Sequence, residues 1–127
     1  MLGLSANLNY YLFNGNVDLR KGIFRLCESI REEMSLDPSD ASNVYMFMSR
    51  NRKVVKILHY ERGFYVLYEK RPVMGKFKKP VFDEVSRCYR IQWSDMAYLT
   101  ESIVVDKMYF FLLYTSDAAD DRISVDL

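Results

Sequence analysis

A single histidine and two widely separated cysteines leave this 127-residue sequence little with which to hold a transition metal. Cys27 and Cys88 are too far apart for a C-x-x-C pair, and His59 alone completes no zinc ligand set, so no metal and no other cofactor is expected. The five glycines, Gly3, Gly15, Gly22, Gly63 and Gly75, fall in neither a GxxxxGK[ST] nor a GxGxxG order, which leaves nucleotide hydrolysis without support. No apolar run reaches the roughly 18–20 residues of a membrane span. Met1 to Asn9 lacks the basic flank and apolar stretch of a signal peptide. A cytoplasmic protein with no membrane partner is expected, its reduced cysteines serving as small core residues.

Catalytic groupings are equally sparse. His59 falls in an apparent strand and reads as a packed or hydrogen-bonded residue before it reads as a base, and Cys27 belongs to an apolar helical stripe. The acid pairs Glu32/Glu33 and Asp83/Glu84 are adjacent, and adjacent side chains diverge in regular structure, so they make poor metal clamps. No enzyme is expected.

What is present suits one packed domain. Half the chain is apolar, 28% is charged, and 15% is aromatic, with ten Tyr and eight Phe against one Trp, a composition that leans toward strands. Tyr10 to Phe13 reads as a strand, followed by an Asn14-Gly15-Asn16 turn and Asp18 as a helix N-cap. From Leu19, apolar residues at Ile23, Leu26, Cys27, Ile30 and Met34 recur at helical spacing, and Asp37-Pro38 stops the helix. Gly22 would then cost the helix about 1 kcal/mol relative to Ala. Val44 to Met48, Lys53 to Tyr60 and Phe64 to Tyr68, with a tight Glu61-Arg62-Gly63 loop, form an antiparallel three-strand meander over 44–71. An irregular basic segment over 73–80, a strand at Cys88 to Ile91 and a second helix capped by Ser94 and burying Met96, Leu99 and Ile103 complete the order. The expected fold is α+β: a mostly antiparallel sheet covered on one face by two helices.

The formal net charge of +1 argues against nucleic acid only if the charges are evenly mixed, and they are not. Residues 50–90 carry twelve bases (Arg50, Arg52, Lys53, Lys56, Arg62, Lys70, Arg71, Lys76, Lys78, Lys79, Arg87, Arg90) against four acids (Glu61, Glu69, Asp83, Glu84), a local net of +8. Basic side chains interleaved with Tyr and Phe suit a nucleic-acid surface, because cations displace counterions from phosphates and ring faces stack on bases. The same charges would also serve a solvated sheet face, where Lys and Arg keep edge strands from aggregating.

The order of several short motifs resembles a known family. Asp18-Leu19-Arg20-Lys21-Gly22 precedes the amphipathic helix and Asp37-Pro38; a V-x-x-F strand follows at Val44 to Phe47, then a basic turn at Arg50 to Lys53. V-K-I-L at Val55 to Leu58, the Gly63 hairpin, Y-x-K-R at Tyr68 to Arg71, and Gly75-Lys76-Phe77 with Pro80 come after it. Over roughly residues 8–105 the chain resembles the small second-frame (TnpB-type) accessory protein of the insertion-sequence-66 family of bacterial transposons. Two departures stand out: Asn43 occupies a family glycine position, where its tolerance of positive φ would keep a turn, and Pro72-Val73-Met74 follows Arg71 where the family continues differently.

The resemblance implies a non-catalytic role in transposition beside a separate, larger transposase or other element-encoded protein. Contact with DNA at the transposon ends is expected through Arg50, Arg52, Lys53, Lys56, Lys70, Arg71, Lys76, Lys78 and Lys79, with little direct contact, and an adaptor role, as the alternative. Arg20 and Lys21, placed in the first turn of the helix near unpaired N–H groups, would add an anion contact or simply be exposed bases. Nothing in the sequence sets the oligomeric state. The stretch from Leu112 to Asp121 lies outside the family pattern and resembles translated sequencing-adapter read-through, so residues 1–111 are expected to form the domain and 112–127 a non-native or disordered tail. That tail holds four Asp and one Arg; without it the remaining 17 bases and 13 acids leave +4.

Overall fold

Residues 10–13 and 44–47 are apolar at nearly every position, not at alternate ones, which requires cover on both faces of any sheet they enter. The computed structural model, described over residues 4–14, 17–20, 22–81 and 88–105, provides it. The chain runs β1 (Asn9–Phe13), α1 (Ile23–Glu33), β2 (Asn43–Met48), β3 (Val55–Glu61), β4 (Phe64–Lys70), β5 (Lys76–Phe77), β6 (Cys88–Ile91), α2 (Trp93–Glu101) and β7 (Ile103–Val104). Five strands form one sheet in the order β4-β3-β2-β1-β6, and β5 pairs with β7 in a second, two-stranded sheet. Among the described strands only β1 and β2 pair parallel, joined through α1; the other described pairs are antiparallel. The α+β class and the β2-β3-β4 meander are as expected.

The helices do not share a face. Leu26, Cys27, Ile30 and Met34 of α1 pack with Phe13, Tyr45, Phe47 and Leu58, whereas Met96 and Leu99 of α2 pack with Tyr10, Leu12, Val44, Met46 and Ile57. Since side chains alternate along a strand, these are opposite sides of the sheet. The reason is the unbroken apolar run in β1 and β2, which one covered face would leave half in water.

Both helix starts differ from expectation. α1 begins at Ile23 with Gly22 as an extended N-cap (φ −77°, ψ 179°), so Gly22 is outside the helix and costs it nothing. Asp18 does not cap it; its carboxylate accepts from the Arg20 N–H at 3.0 Å and from the Arg20 guanidinium at 3.0 and 3.1 Å. The Leu19 carbonyl is bound by the Lys56 ammonium, which holds that residue out of the helix. Because α1 has no side-chain cap and a Cβ on Gly22 would meet nothing within 4 Å, Gly22→Ser is expected to stabilise the fold by about 0.5–1 kcal/mol, read as a higher urea midpoint. α2 is capped two residues before the expected Ser94: Gln92 and Asp95 form a capping box, with the Gln92 N–H donating to Asp95 at 3.1 Å. Ile103 is not helical but pairs with Phe77 in the β5–β7 ladder.

Asn43 is not a turn residue either. It lies buried in β2, accepts from Asn9 Nδ2 at 3.2 Å and donates to the Tyr45 hydroxyl at 3.1 Å, which itself donates to the Asp37 carbonyl at 2.8 Å. Burial pushes the Tyr45 phenol up to about 12. Gly15, Asn16, Lys21, Asp83, Glu84, Arg87 and the 112–127 tail lie outside the described residues.

Candidate nucleic-acid interface at one end of the sheet

Strand direction decides where the charges gather. The C-terminal ends of β1, β2 and β4 and the N-terminal end of β3 fall at one end of the sheet, since Met48 pairs with Val55 and Val55 with Lys70. The β2–β3 turn and the segment after β4 therefore leave from the same end, and they carry Arg50, Arg52, Lys53, Arg71, Lys76, Lys78 and Lys79.

Local chemistry stiffens both pieces. The Ser49 hydroxyl accepts the Lys53 and Val54 N–H groups at 3.1 and 3.0 Å and donates to Asn51 Oδ1 at 2.8 Å, while Arg52 adopts φ 60°. The Arg52 carbonyl then accepts the Phe77 N–H at 2.8 Å, tying the turn to β5. Phe77 is sealed in the core on the α2 side, so its neighbours Lys76 and Lys78 must point away from it. Gly75, at φ 75°, lies against the backbone of Val104 and Val105. Together with Pro72, Val73 and Met74 it forms a shallow cleft that has Lys53 and Lys76 on its wall.

The nearby acids are already engaged. Glu69 accepts from Arg71 at 2.6 Å and lies 3.7 Å from Lys56, and these cations hold its carboxyl below the usual carboxylate range, Arg71 most strongly. Lys70 donates to Glu101 at 3.0 Å and to the Thr100 carbonyl at 2.9 Å, at the negative C-terminal end of α2. The Lys78 ammonium is 3.0 Å from the Tyr98 hydroxyl and 5.5 Å from that ring's centre, and it draws the phenol's pKa down. Arg52, Lys53, Lys76 and Lys79 have no side-chain partner among the described residues.

The opposite end of the sheet carries charges of both signs, Arg90 donating to Asn9 there at 2.6 Å. Asp37 and Asp40 precede β2 there and Glu61 ends β3, with Arg62 beside it. Hydrogen bonds from Ser39 and Ser42 hold the two Asp carboxyls below their ordinary range, so both are ionised at neutral pH.

Of the expected contact residues, Arg50, Lys53, Arg71, Lys78 and Lys79 are exposed and Arg52, Lys70 and Lys76 half-buried, all toward the basic end. Lys56 is withdrawn from the surface, its side chain 11% exposed between the Leu19 carbonyl and Glu69. Arg20 is exposed in a turn before α1 and not in its first turn, which removes the helix-start argument for an anion contact; Lys21 lies outside the described residues. Sequence reasoning missed Ser49, which shapes the basic turn, although S-x-N-x-K between two strands is a legible turn pattern.

Residues that could have suggested chemistry are separated. His59 is buried on the α2 side and its Nε2 donates to the Ala41 carbonyl at 3.0 Å, whereas Cys27 is buried on the α1 side, its thiol pushed up by burial. Among the described residues no three His, Cys, Asp or Glu side chains converge as metal ligands, and no helix is long and apolar enough to cross a membrane.

Fold and charge define a small α+β domain with one strongly basic end. The family model for the IS66 Orf2-like protein matches residues 8–109, and the chain belongs to that family of transposition-associated proteins. No curated protein and no solved structure matches the chain. Three family segments acquire roles here: the D-x-R-K-G stretch supplies the Leu19 carbonyl that Lys56 binds, Y-x-K-R supplies Glu69 and Lys70, and G-K-F supplies the Gly75 approach and the Phe77 anchor.

Proposed function

We propose that the protein is a non-catalytic accessory factor of bacterial DNA transposition that grips duplex phosphates at transposon ends through the basic end of its sheet. It works in the cytoplasm beside a separate transposase, and its folded unit is residues 1–111. One observation carries the reading: Arg50, Arg52, Lys53, Lys76 and Lys79 converge on one end of the sheet, where Glu69 and Glu101 are already paired. The hydrogen-bonded β2–β3 turn, tied to β5 through the Arg52 carbonyl and the Phe77 N–H, supports reading these cations as one surface.

The test is equilibrium binding of the full chain to transposon-end duplex across salt concentrations. Contacts with five phosphates would make log K fall with log[salt] at a slope of about −4 to −5. A flat dependence, or no binding by folded protein, would overturn the reading.

A second reading, an adaptor that docks the transposase with little DNA contact, has support in the exposed apolar side chains of Val81 and Tyr98 around a groove that Tyr89 and Leu99 also line. Co-purification with the transposase after nuclease treatment, unchanged by Lys→Gln substitutions at the basic end, would favour it.

A further inference from the structure

The β4 edge of the sheet ends on a row of backbone groups with no strand beside them among the described residues. The Arg62-Gly63 turn, with φ 48° and 90°, is a two-residue hairpin loop of the type I′ kind, which makes Glu61 and Phe64 a hydrogen-bonded pair. Alternation then directs the N–H and C=O groups of Phe64, Val66, Tyr68 and Lys70 toward β3 and those of Tyr65, Leu67 and Glu69 outward.

Edge strands are commonly protected by a proline, a bulge, a central charge or brevity. β4 has none of these. Its seven residues pair without interruption from Val55↔Lys70 to Glu61↔Phe64, and its charges are confined to Glu69 and Lys70 at one terminus. Exposed aromatic rings flank it on both sides: Phe24 of α1, 76% exposed, meets the Tyr65 ring edge-on at 6.2 Å, and Phe64, on the other face, is 71% exposed.

We propose that β4 pairs antiparallel with β4 of a second copy of this chain, about a two-fold axis at Leu67, continuing the sheet across both molecules. The register follows from the residues. Centring on Leu67 uses the whole strand, setting Leu67 against itself, Tyr65 against Glu69, Val66 against Tyr68 and Phe64 against Lys70. Each outward residue then donates one N–H and accepts at one C=O. Centring on Val66 opposes Arg62 to Lys70, and centring on Tyr65 opposes Glu61 to Glu69, like charges in both cases.

Charge selects a second copy as the occupant. Read against itself, the strand sets Lys70 opposite Phe64 and Glu69 opposite Tyr65, so no like charges oppose each other along its seven residues. An isologous contact of this kind also closes on itself, so the edge is consumed instead of propagating into fibres.

Sedimentation equilibrium of the full chain, with amide hydrogen exchange on the same samples, tests this. The expected result is a dimer in which the Tyr65, Leu67 and Glu69 amides are protected, and become fast on dilution to monomer. Leu67→Pro removes an outward N–H while leaving the β3 ladder intact, and should halve the mass with the fold retained by circular dichroism. A monomer at high micromolar concentration, a dimer whose three outward amides exchange freely, or a folded Leu67→Pro variant that still dimerises would each overturn the proposal. The wild-type exchange measurement decides the matter even if that variant fails to fold.

Discussion

Gly75→Ala is expected to destabilise the protein by about 2–5 kcal/mol, the sum of a left-handed backbone imposed on a residue with a Cβ and of overpacking. The strain comes from φ 75°, and the overpacking from neighbours that cannot yield. A Cβ at this position would overlap the Val104 carbonyl oxygen and stand 3.0 Å from its carbon and 3.3 Å from the Val105 Cα. These are backbone atoms of and after β7, whose Ile103 is paired with Phe77, so relief requires pulling β5 from β7 and lifting a core side chain. Gly75→Asn separates the two causes. Asn tolerates positive φ but brings the same Cβ, so a loss as large as that of alanine identifies close approach as the constraint. A change in denaturation free energy below about 1 kcal/mol for Gly75→Ala would contradict the account.

Changing Lys53, Lys76 and Lys79 together to Gln is expected to lower affinity for transposon-end duplex about 100-fold or more near 0.1 M salt, and to flatten the slope of log K against log[salt] by nearly 3. The fold should hardly change, because these ammonium groups have no partner among the described residues and lie at the surface or half-buried. Lys56→Met is the contrasting case. Its ammonium binds the Leu19 carbonyl and faces Glu69 from a largely buried position, so its removal should lower thermal stability while leaving the salt slope as it was. If the triple variant bound duplex like the parent, the basic end would not be the contact surface.

Much of the architecture was legible in local patterns. The 3.6-residue spacing from Ile23 to Met34 marks α1, Asp37-Pro38 marks its end, and Arg62-Gly63 between apolar runs marks the β3–β4 hairpin, because each depends on neighbours a few residues apart. The helix starts were misplaced for separate local reasons: the Asp18 carboxylate is taken by Arg20 and the next carbonyl by Lys56, while at α2 Gln92 and Asp95 form the cap in place of Ser94. The division of the helices between two faces was also encoded, in the absence of alternation along Tyr10 to Phe13 and Val44 to Phe47, yet only the assembled sheet shows which helix takes which face.

By itself, then, the sequence determined the two helices, the longer strands, the meander, the family and the existence of a basic stretch, but not the short β5–β7 ladder, which it read as an irregular segment and the end of a helix. Tertiary structure decided which of its cations meet solvent together. Lys53 and Lys56 are three residues apart and chemically identical, but one stands exposed on a turn while the other binds a carbonyl 37 residues earlier in the chain. A residue's charge is local information; its surroundings are set by strand order and by which chain ends meet, and these depend on contacts the linear pattern does not contain.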